Sequence, residues 1–359
     1  TRNCNLLRRS SITGMFSRGQ EGFGKRKINM KALVYTDHET LSYRDELDAK
    51  AKNGETLIKV SAAGICGSDM HAYHGYDDRR LPPLILCHEI SGINQSDNIP
   101  VVINPLVTCR ACRECNDGRD HLCSNRGLLG MTKPVARAGG FAELVAAPSE
   151  NVFAVPSDAN LNDLSLTEPT AVAFHAVKIA EQTSFSNIQE SDILIIGGGA
   201  IGLLLALVLK EKKAERITIT DTNKKRLDVC KKASSCAVAH LDDDSVRDNG
   251  YDIIFDAVGF EATRKKSVQC VRQGGVIVHI GLSQPAGEFD FRKATLQEIT
   301  FVGTYCYTNE DFKQSLDMLI AKELGDLTWL DYRPLKNGAN AFREIHGGAT
   351  ASPKIILLP

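Results

Sequence analysis

The sequence predicts an α/β protein in which a β-rich unit is followed by a doubly wound parallel sheet with helices on both faces. Three observations predict it. From about residue 170 to 303, short β-branched runs alternate with longer helix-compatible runs, the pattern of a parallel sheet covered on both sides. Glycines concentrate where the first of those strands passes into a helix. Before residue 160 the text is instead short β-type runs broken by polar, glycine-containing turns, as in antiparallel sheets.

The first strand of the alternating region runs from Asp192 into Gly197-Gly198-Gly199-Ala200-Ile201-Gly202, and the chain leaves as the apolar run Leu203 to Leu209. In a βαβ unit, Gly197 makes the tight turn, Gly199 lets backbone approach a pyrophosphate and Gly202 lets helix pack on strand. The helix opening at Ala200 and Ile201 then turns its amides toward the phosphates. A glycine-rich turn that merely packs has the same spacing. The flanking strand and helix, and Asp221 nineteen residues past Gly202, favour a dinucleotide. Asp221 can accept from a ribose hydroxyl, which favours NAD over NADP. Arg226, with Lys224 and Lys225, lies close by on the cofactor side and softens that preference. Helices over 223–233 and 261–271 and strands over 237–239, 252–256, 275–280 and 300–303 complete the sheet.

With 43 basic and 44 acidic residues among 359, net charge is −1, and no long block of one sign points to nucleic acid or an anionic membrane. Apolar runs such as Ile201 to Leu209 are too short to span a bilayer, so a cytoplasmic protein acting on a small molecule is expected. Eleven cysteines, an odd number, favour metal ligands and buried thiols over disulfides. Residues 1–29 are basic, rich in Ser and Gly, and carry one acid, Glu21. They read as an extension outside the fold, either an organelle transit peptide or an upstream addition to a chain starting at Met30.

Strands over 32–35 and 56–60, with Asn53-Gly54 as a hairpin signal, open the β-rich unit. Strands over 139–146 and 151–156 close it, and Pro169 suits the first turn of a helix over 170–180. A helix over 311–319 and a strand over 354–358 return to it, giving domains of 30–171 with 306–359, and 172–305. Cys109-x2-Cys112-x2-Cys115-x7-Cys123 is the most specific pattern. Four thiolates within fifteen residues can close a zinc tetrahedron with no position left for substrate, a structural site. An iron–sulfur cluster shares the first three spacings, but its fourth cysteine comes after three residues and precedes proline, whereas here seven intervene and Ser124 follows.

Gly64-Ile-Cys66-Gly-Ser68-Asp69-x-His71, His88-Glu89-x-x-Gly92, the four-cysteine lobe, Glu168-Pro169, the Gly197 to Gly202 loop with Asp221, and Gly274-Gly-Val-Ile-Val-x-Ile-Gly281 together resemble the zinc-dependent medium-chain alcohol and polyol dehydrogenases. The likeness runs from about Met30 to the C-terminus, and Glu168-Pro169 is similar to the sorbitol and threonine dehydrogenase branch. The resemblance implies a GroES-like catalytic domain, a Rossmann domain, two zinc ions per chain, NAD, and a homodimer or homotetramer. It also implies that Cys66 and His88 hold a catalytic zinc, with Glu89 and Glu168 as direct or water-mediated ligands, that Asp69 orients the imidazole, and that Ser68 and His71 relay a proton. A polyol or sugar-derived acid oxidised at a secondary alcohol is the implied substrate.

Three departures stand out. Cys87 replaces the usual glycine before His-Glu, so a third thiol could crowd or replace a ligand, and the stretches 93–100 and 240–251 are short. Competing readings are a zinc-free quinone or enone reductase of the same superfamily, disfavoured by Cys66, His88 and the lobe, and a non-enzymatic redox-responsive nucleotide-binding protein.

Overall fold

The computed structural model describes residues 29–359, and the expectation for residues 1–29 lies outside them except at Asn29, which opens a strand. A six-stranded parallel sheet forms from Asp192–Ile196, Arg216–Asp221, Ala237–His240, Tyr251–Asp256, Val271–His279 and Thr300–Gly303. Numbered along the chain, they lie in the order 3-2-1-4-5-6 across the sheet. The order reverses beside Asp192–Ile196, so the crevice at that strand's C-terminal end is where a dinucleotide fits. The strand is buried almost throughout because Ile193, Leu194, Ile195 and Ile196 meet helices on both faces.

The β-rich unit centres on Glu55–Gly64, which pairs antiparallel with Glu89–Asn94, Leu144–Pro148 and the C-terminal strand Lys354–Leu358. The tail therefore closes the sheet opened near the N-terminus. The expected hairpin at Asn53-Gly54 does not form. The hairpin instead joins Asn29–Asp37 to Thr40–Leu47 through His38 and Glu39, and Glu55–Gly64 pairs elsewhere. Thr40–Leu47 is largely exposed and polar, which hid it from a reading based on apolar alternation. The strand expected over 139–146 is confined to Leu144–Pro148, and the helix expected from residue 170 begins at Thr167, with Pro169 in its first turn.

The helices Thr167–Thr183 and Asn309–Ile320 pack together around one buried polar cluster. Asp311 accepts from His175 Nδ1 at 2.7 Å, Lys178 Nζ at 2.8 Å and the Thr308 amide at 3.0 Å. Burial would raise the Asp311 carboxyl, but these donors outweigh it and hold the group below the usual carboxylate range. A depressed folded value stabilises above the unfolded carboxylate range and is lost as pH falls through the folded value. Asp311→Asn should therefore cost about 2–3 kcal/mol at pH 7, less than a fully buried pair because Lys178 keeps contact with water. In urea titrations that gap should narrow below pH 4; a gap that is constant from pH 7 to 3 would refute the electrostatic account.

Candidate active site

Two loops of the β-rich unit bring a thiol and an imidazole together. Cys66 caps the helix Gly67–Tyr73, and its Sγ accepts from the Ser68 amide at 3.5 Å. His88 and Glu89 follow the turn at Cys87. Ligand atoms of Cys66, His88 and Glu89 all lie within 4.8 Å of one another. Glu168 lies outside that compact triple but lines the same cleft of about 420 Å³, as do Ser68 and His71. Asp69 sits behind the wall, fully buried, accepting from the Cys66 amide at 3.0 Å and the Cys87 amide at 3.4 Å. Its carboxylate is 3.8 Å from His88 Nδ1, too long for a hydrogen bond, so it braces the loops more directly than it orients the imidazole.

The donor set fits a zinc ion. Cys66, His88 and Glu89 converge with little contact with water, and thiolate, imidazole and carboxylate are the ligands that zinc takes. Burial, with Cys66 and Glu89 nearby, pushes the Glu168 carboxyl up to about 8 against the pull of His88 and Lys354. Burial and Glu89 likewise push the Cys66 thiol up. Three acidic groups crowded out of water are the environment a dication relieves.

Cys87 does not join them. Its Sγ turns to the backbone oxygens of Gly64 at 3.4 Å and Glu89 at 3.5 Å, so the third thiol neither crowds nor replaces a ligand. In the lobe, the Sγ pairs Cys123–Cys109, Cys112–Cys115 and Cys109–Cys115 are 3.4, 3.5 and 4.0 Å apart. A tetrahedron with 2.3 Å bonds sets sulfurs about 3.8 Å apart, so the four side chains fit zinc. Amides of Ala111 and Cys112 pull the Cys109 thiol down to about 6, favouring the thiolate a metal needs.

On the other side of the cleft, Gly197 has φ of 101° and a Cβ at Gly202 would meet Gly197 O at 1.8 Å, so both positions demand glycine. At Gly199, N-cap of the helix Ala200–Glu211, an added Cβ would point into open space, leaving backbone free for a close ligand. Asp221 accepts from the Gly198 amide at 2.8 Å and the Asn223 amide at 2.7 Å, with Arg226 Nη1 at 3.3 Å. A further volume of about 720 Å³ opens beside Asp221 and Arg226, and Gly197, Asp221 and Arg226 line both spaces. Gly199, Ala200, Ile201 and Gly202 line the catalytic part.

Three cleft residues were not singled out in the sequence, although Arg80 and Cys306 lie on stretches 72–80 and 303–308 that were expected to wall the pocket. Lys354, buried in an apolar strand, is ion-paired with Glu89 and donates to Ile65 O at 2.8 Å. Arg80, 2% exposed, is ion-paired with Asp77 and donates from Nη2 to Ser68 Oγ at 3.3 Å. Cys306, with φ of 48°, lines the wall near Glu168. A lone lysine in an otherwise apolar strand was the one signal available for Lys354.

Residues 52–157 match the model for an alcohol dehydrogenase GroES-like domain, and residues 200–321 that for a zinc-binding dehydrogenase. An L-threonine 3-dehydrogenase from Streptomyces coelicolor is 31% identical over 340 residues, covering 88% of this chain and 94% of that protein. The chain belongs to the zinc-type medium-chain dehydrogenases. Solved structures share the fold: L-idonate 5-dehydrogenase from Escherichia coli superimposes with a TM-score of 0.82 at 24% identity, covering 92% of this chain and 99% of that one. Acetophenone reductase from Geotrichum candidum, in complex with NAD, also gives 0.82 at 24% identity, covering 94% and 99%. This zinc-type dehydrogenase combines a GroES-like domain with a Rossmann-type parallel sheet. Among the described residues, no helix is long and apolar enough to cross a membrane.

Cys112→Ser should lower zinc content by about one ion per chain and reduce thermal stability, since a structural zinc contributes folding free energy. Elemental analysis showing unchanged zinc would remove the lobe's assignment.

Proposed function

We propose that this dehydrogenase oxidises a secondary alcohol that also carries an anionic group, a sugar-derived acid in preference to a neutral polyol. The observation behind this reading is Arg80, buried at the catalytic end of the cleft with Nη2 on Ser68 Oγ and Nε lacking any partner. Arg79 bonds the same Asp77 carboxylate at 2.9 and 3.1 Å, so two guanidinium groups share one counter-charge. Despite its burial, they hold the Asp77 carboxyl at about 2, leaving it anionic at any working pH. A carboxylate is the bidentate match for the remaining guanidinium donors. L-threonine and L-idonate, named for two of the similar enzymes, both carry one.

In this reading Cys66 and His88 hold the catalytic zinc, with Glu168 and Glu89 close enough to join directly or through water. When bound, zinc supplies Lewis acidity that lowers the pKa of an alcohol oxygen, and NAD accepts hydride. Ser68 Oγ, 3.5 Å from His88 Nε2, is placed beside the ligand cluster to take the alcohol's proton. His71, one turn along the same helix and held by burial below the usual histidine range, is neutral near pH 7 and able to receive it. Asp69 fixes both loops. The cofactor lies along the Gly197–Gly202 turn, with Asp221 and Arg226 at its adenosine end.

We take residues 30–171 with 306–359 as the catalytic unit and 172–305 as the nucleotide unit. A cytoplasmic homodimer or homotetramer is supported by the unpaired thiols among the described residues and by the free edge of Thr300–Gly303. Phe291 and Leu296, 73% and 70% exposed, lie in the helix just before that strand. The zinc-free reductase reading leaves the buried triple without a purpose, and turnover would exclude a non-enzymatic module.

A panel of aldonates and matched polyols, followed by NADH absorbance, should give higher kcat/KM for the acids. Arg80→Lys should erase most of that margin, about tenfold or more, for want of the planar fork; equal kcat/KM for acids and polyols in the parent enzyme would sink the substrate class. Cys66→Ala should lose the catalytic zinc and all turnover, whereas Ser68→Ala should keep zinc and NAD and slow turnover roughly 10²–10⁴-fold. Full activity in Ser68→Ala would remove the relay. Asp221→Ser should shift preference from NAD toward NADP by removing a carboxylate that repels a 2′-phosphate beside Arg226; an unchanged NADP/NAD ratio would discard that role.

A further inference from the structure

Outside the cleft, three side chains with no part in the dehydrogenase reaction converge on the surface. Glu39 stands in the turn between Asn29–Asp37 and Thr40–Leu47, His74 caps the C-terminal end of Gly67–Tyr73, and His346 closes the helix Gly338–His346. One ligand atom from each lies within 4.8 Å of the other two, and His74 Nε2 is 2.8 Å from His346 Nδ1. The arrangement is built. The Glu39 amide donates to Tyr73 O at 2.8 Å, fastening the hairpin tip to the helix end. The Tyr73 ring packs against both imidazoles, with centroids 5.6 Å from His74 and 6.2 Å from His346.

We propose that Glu39, His74 and His346 form a third divalent-metal site, taking zinc with an open position for water. Two imidazoles and a carboxylate are a donor set that zinc accepts, while nickel, cobalt or copper suit the same nitrogens. Bonds of about 2.0–2.1 Å place tetrahedral ligand nitrogens about 3.3 Å apart, so the imidazole pair needs to open by only about half an ångström. Glu39 and His346 are exposed, which leaves their side chains free to close on the ion. The ion would tie three segments that are distant in sequence. One is the helix carrying Ser68 and His71, and another is the helix Gly338–His346, whose Ile345 lines the catalytic cleft. The site is a clamp on the outer wall of that cleft, and it depends on no particular substrate.

The full-length enzyme carrying its two zinc ions is equilibrated with zinc chloride, gel-filtered, and its zinc counted, in parallel with Glu39→Gln and His346→Gln. The parent should hold a third equivalent and gain several degrees in Tm on zinc addition. Each variant should keep two zinc ions and the Tm that the parent has before zinc is added, yet bind the third at least about tenfold more weakly. Cobalt added to the zinc-loaded parent should give a visible band without the thiolate charge transfer that the cysteine sites would show. A parent that never exceeds two zinc ions, or variants that bind the third as well as the parent, would overturn the site.

Discussion

The buried carboxylate of Asp69 is the interaction on which the catalytic end of the cleft depends. It accepts from the amides of Cys66 and Cys87, which belong to two separate loops, and so registers a thiol against the imidazole that follows Cys87. The capping box that Asp69 completes with Cys66 fixes the start of the Gly67–Tyr73 helix, and with it Ser68 and His71. One acceptor thereby sets the positions of the proposed metal ligands and relay together. The bend at Cys87 is its counterpart. A φ of 87° in a residue bearing a side chain is strained, and it persists because the Cys87 amide is held by Asp69 and its backbone is packed against Gly130 and Gly139. A Cβ at either glycine would come within 2.8 or 2.1 Å of that backbone, so three positions are coupled in one turn.

What was legible in the sequence was local. The Gly197–Gly202 turn, its strand and its helix lie within one contiguous stretch, so spacing and periodicity were enough to place them, whereas the 3-2-1-4-5-6 order is visible only in the fold, because other doubly wound orders share the same alternation. The lobe was legible for the same reason, with four thiols within fifteen residues. The Thr40–Leu47 strand was not, because its order comes from pairing with Asn29–Asp37 rather than from an apolar face of its own. The roles of Lys354 and Arg80 could not be read for a different reason. Lys354 meets a carboxylate 265 residues away, and Arg80 is distinguished from Arg79 only by a burial that the tertiary fold creates. The doubt about Cys87 had the same origin, since the carbonyls of Gly64 and Glu89 that its thiol turns to are brought to it by the fold.

The two cysteine-containing sites differ in their solvent and charge balance. In the lobe three thiols reach toward the surface and Cys123 is buried, and backbone amides lower the one at Cys109 while burial and its neighbouring thiols push the one at Cys115 up to about 12. In the cleft, Cys66, Glu89 and Glu168 are taken out of water beside the buried ammonium of Lys354. Burial disfavours the Lys354 ammonium, yet Glu89 more than offsets that and raises it, so the lysine stays charged in the interior. Such a pair is a poor route to stability compared with apolar packing. Its effect is to commit Glu89 partly to the back of the site while Cys66, His88 and Glu168 face the cleft. An incomplete, crowded set of acidic donors beside an open volume favours a cation that still has room for another ligand, whereas four thiols closed on themselves do not. That contrast in donor number and burial separates a centre that can do chemistry from one that can only hold the fold.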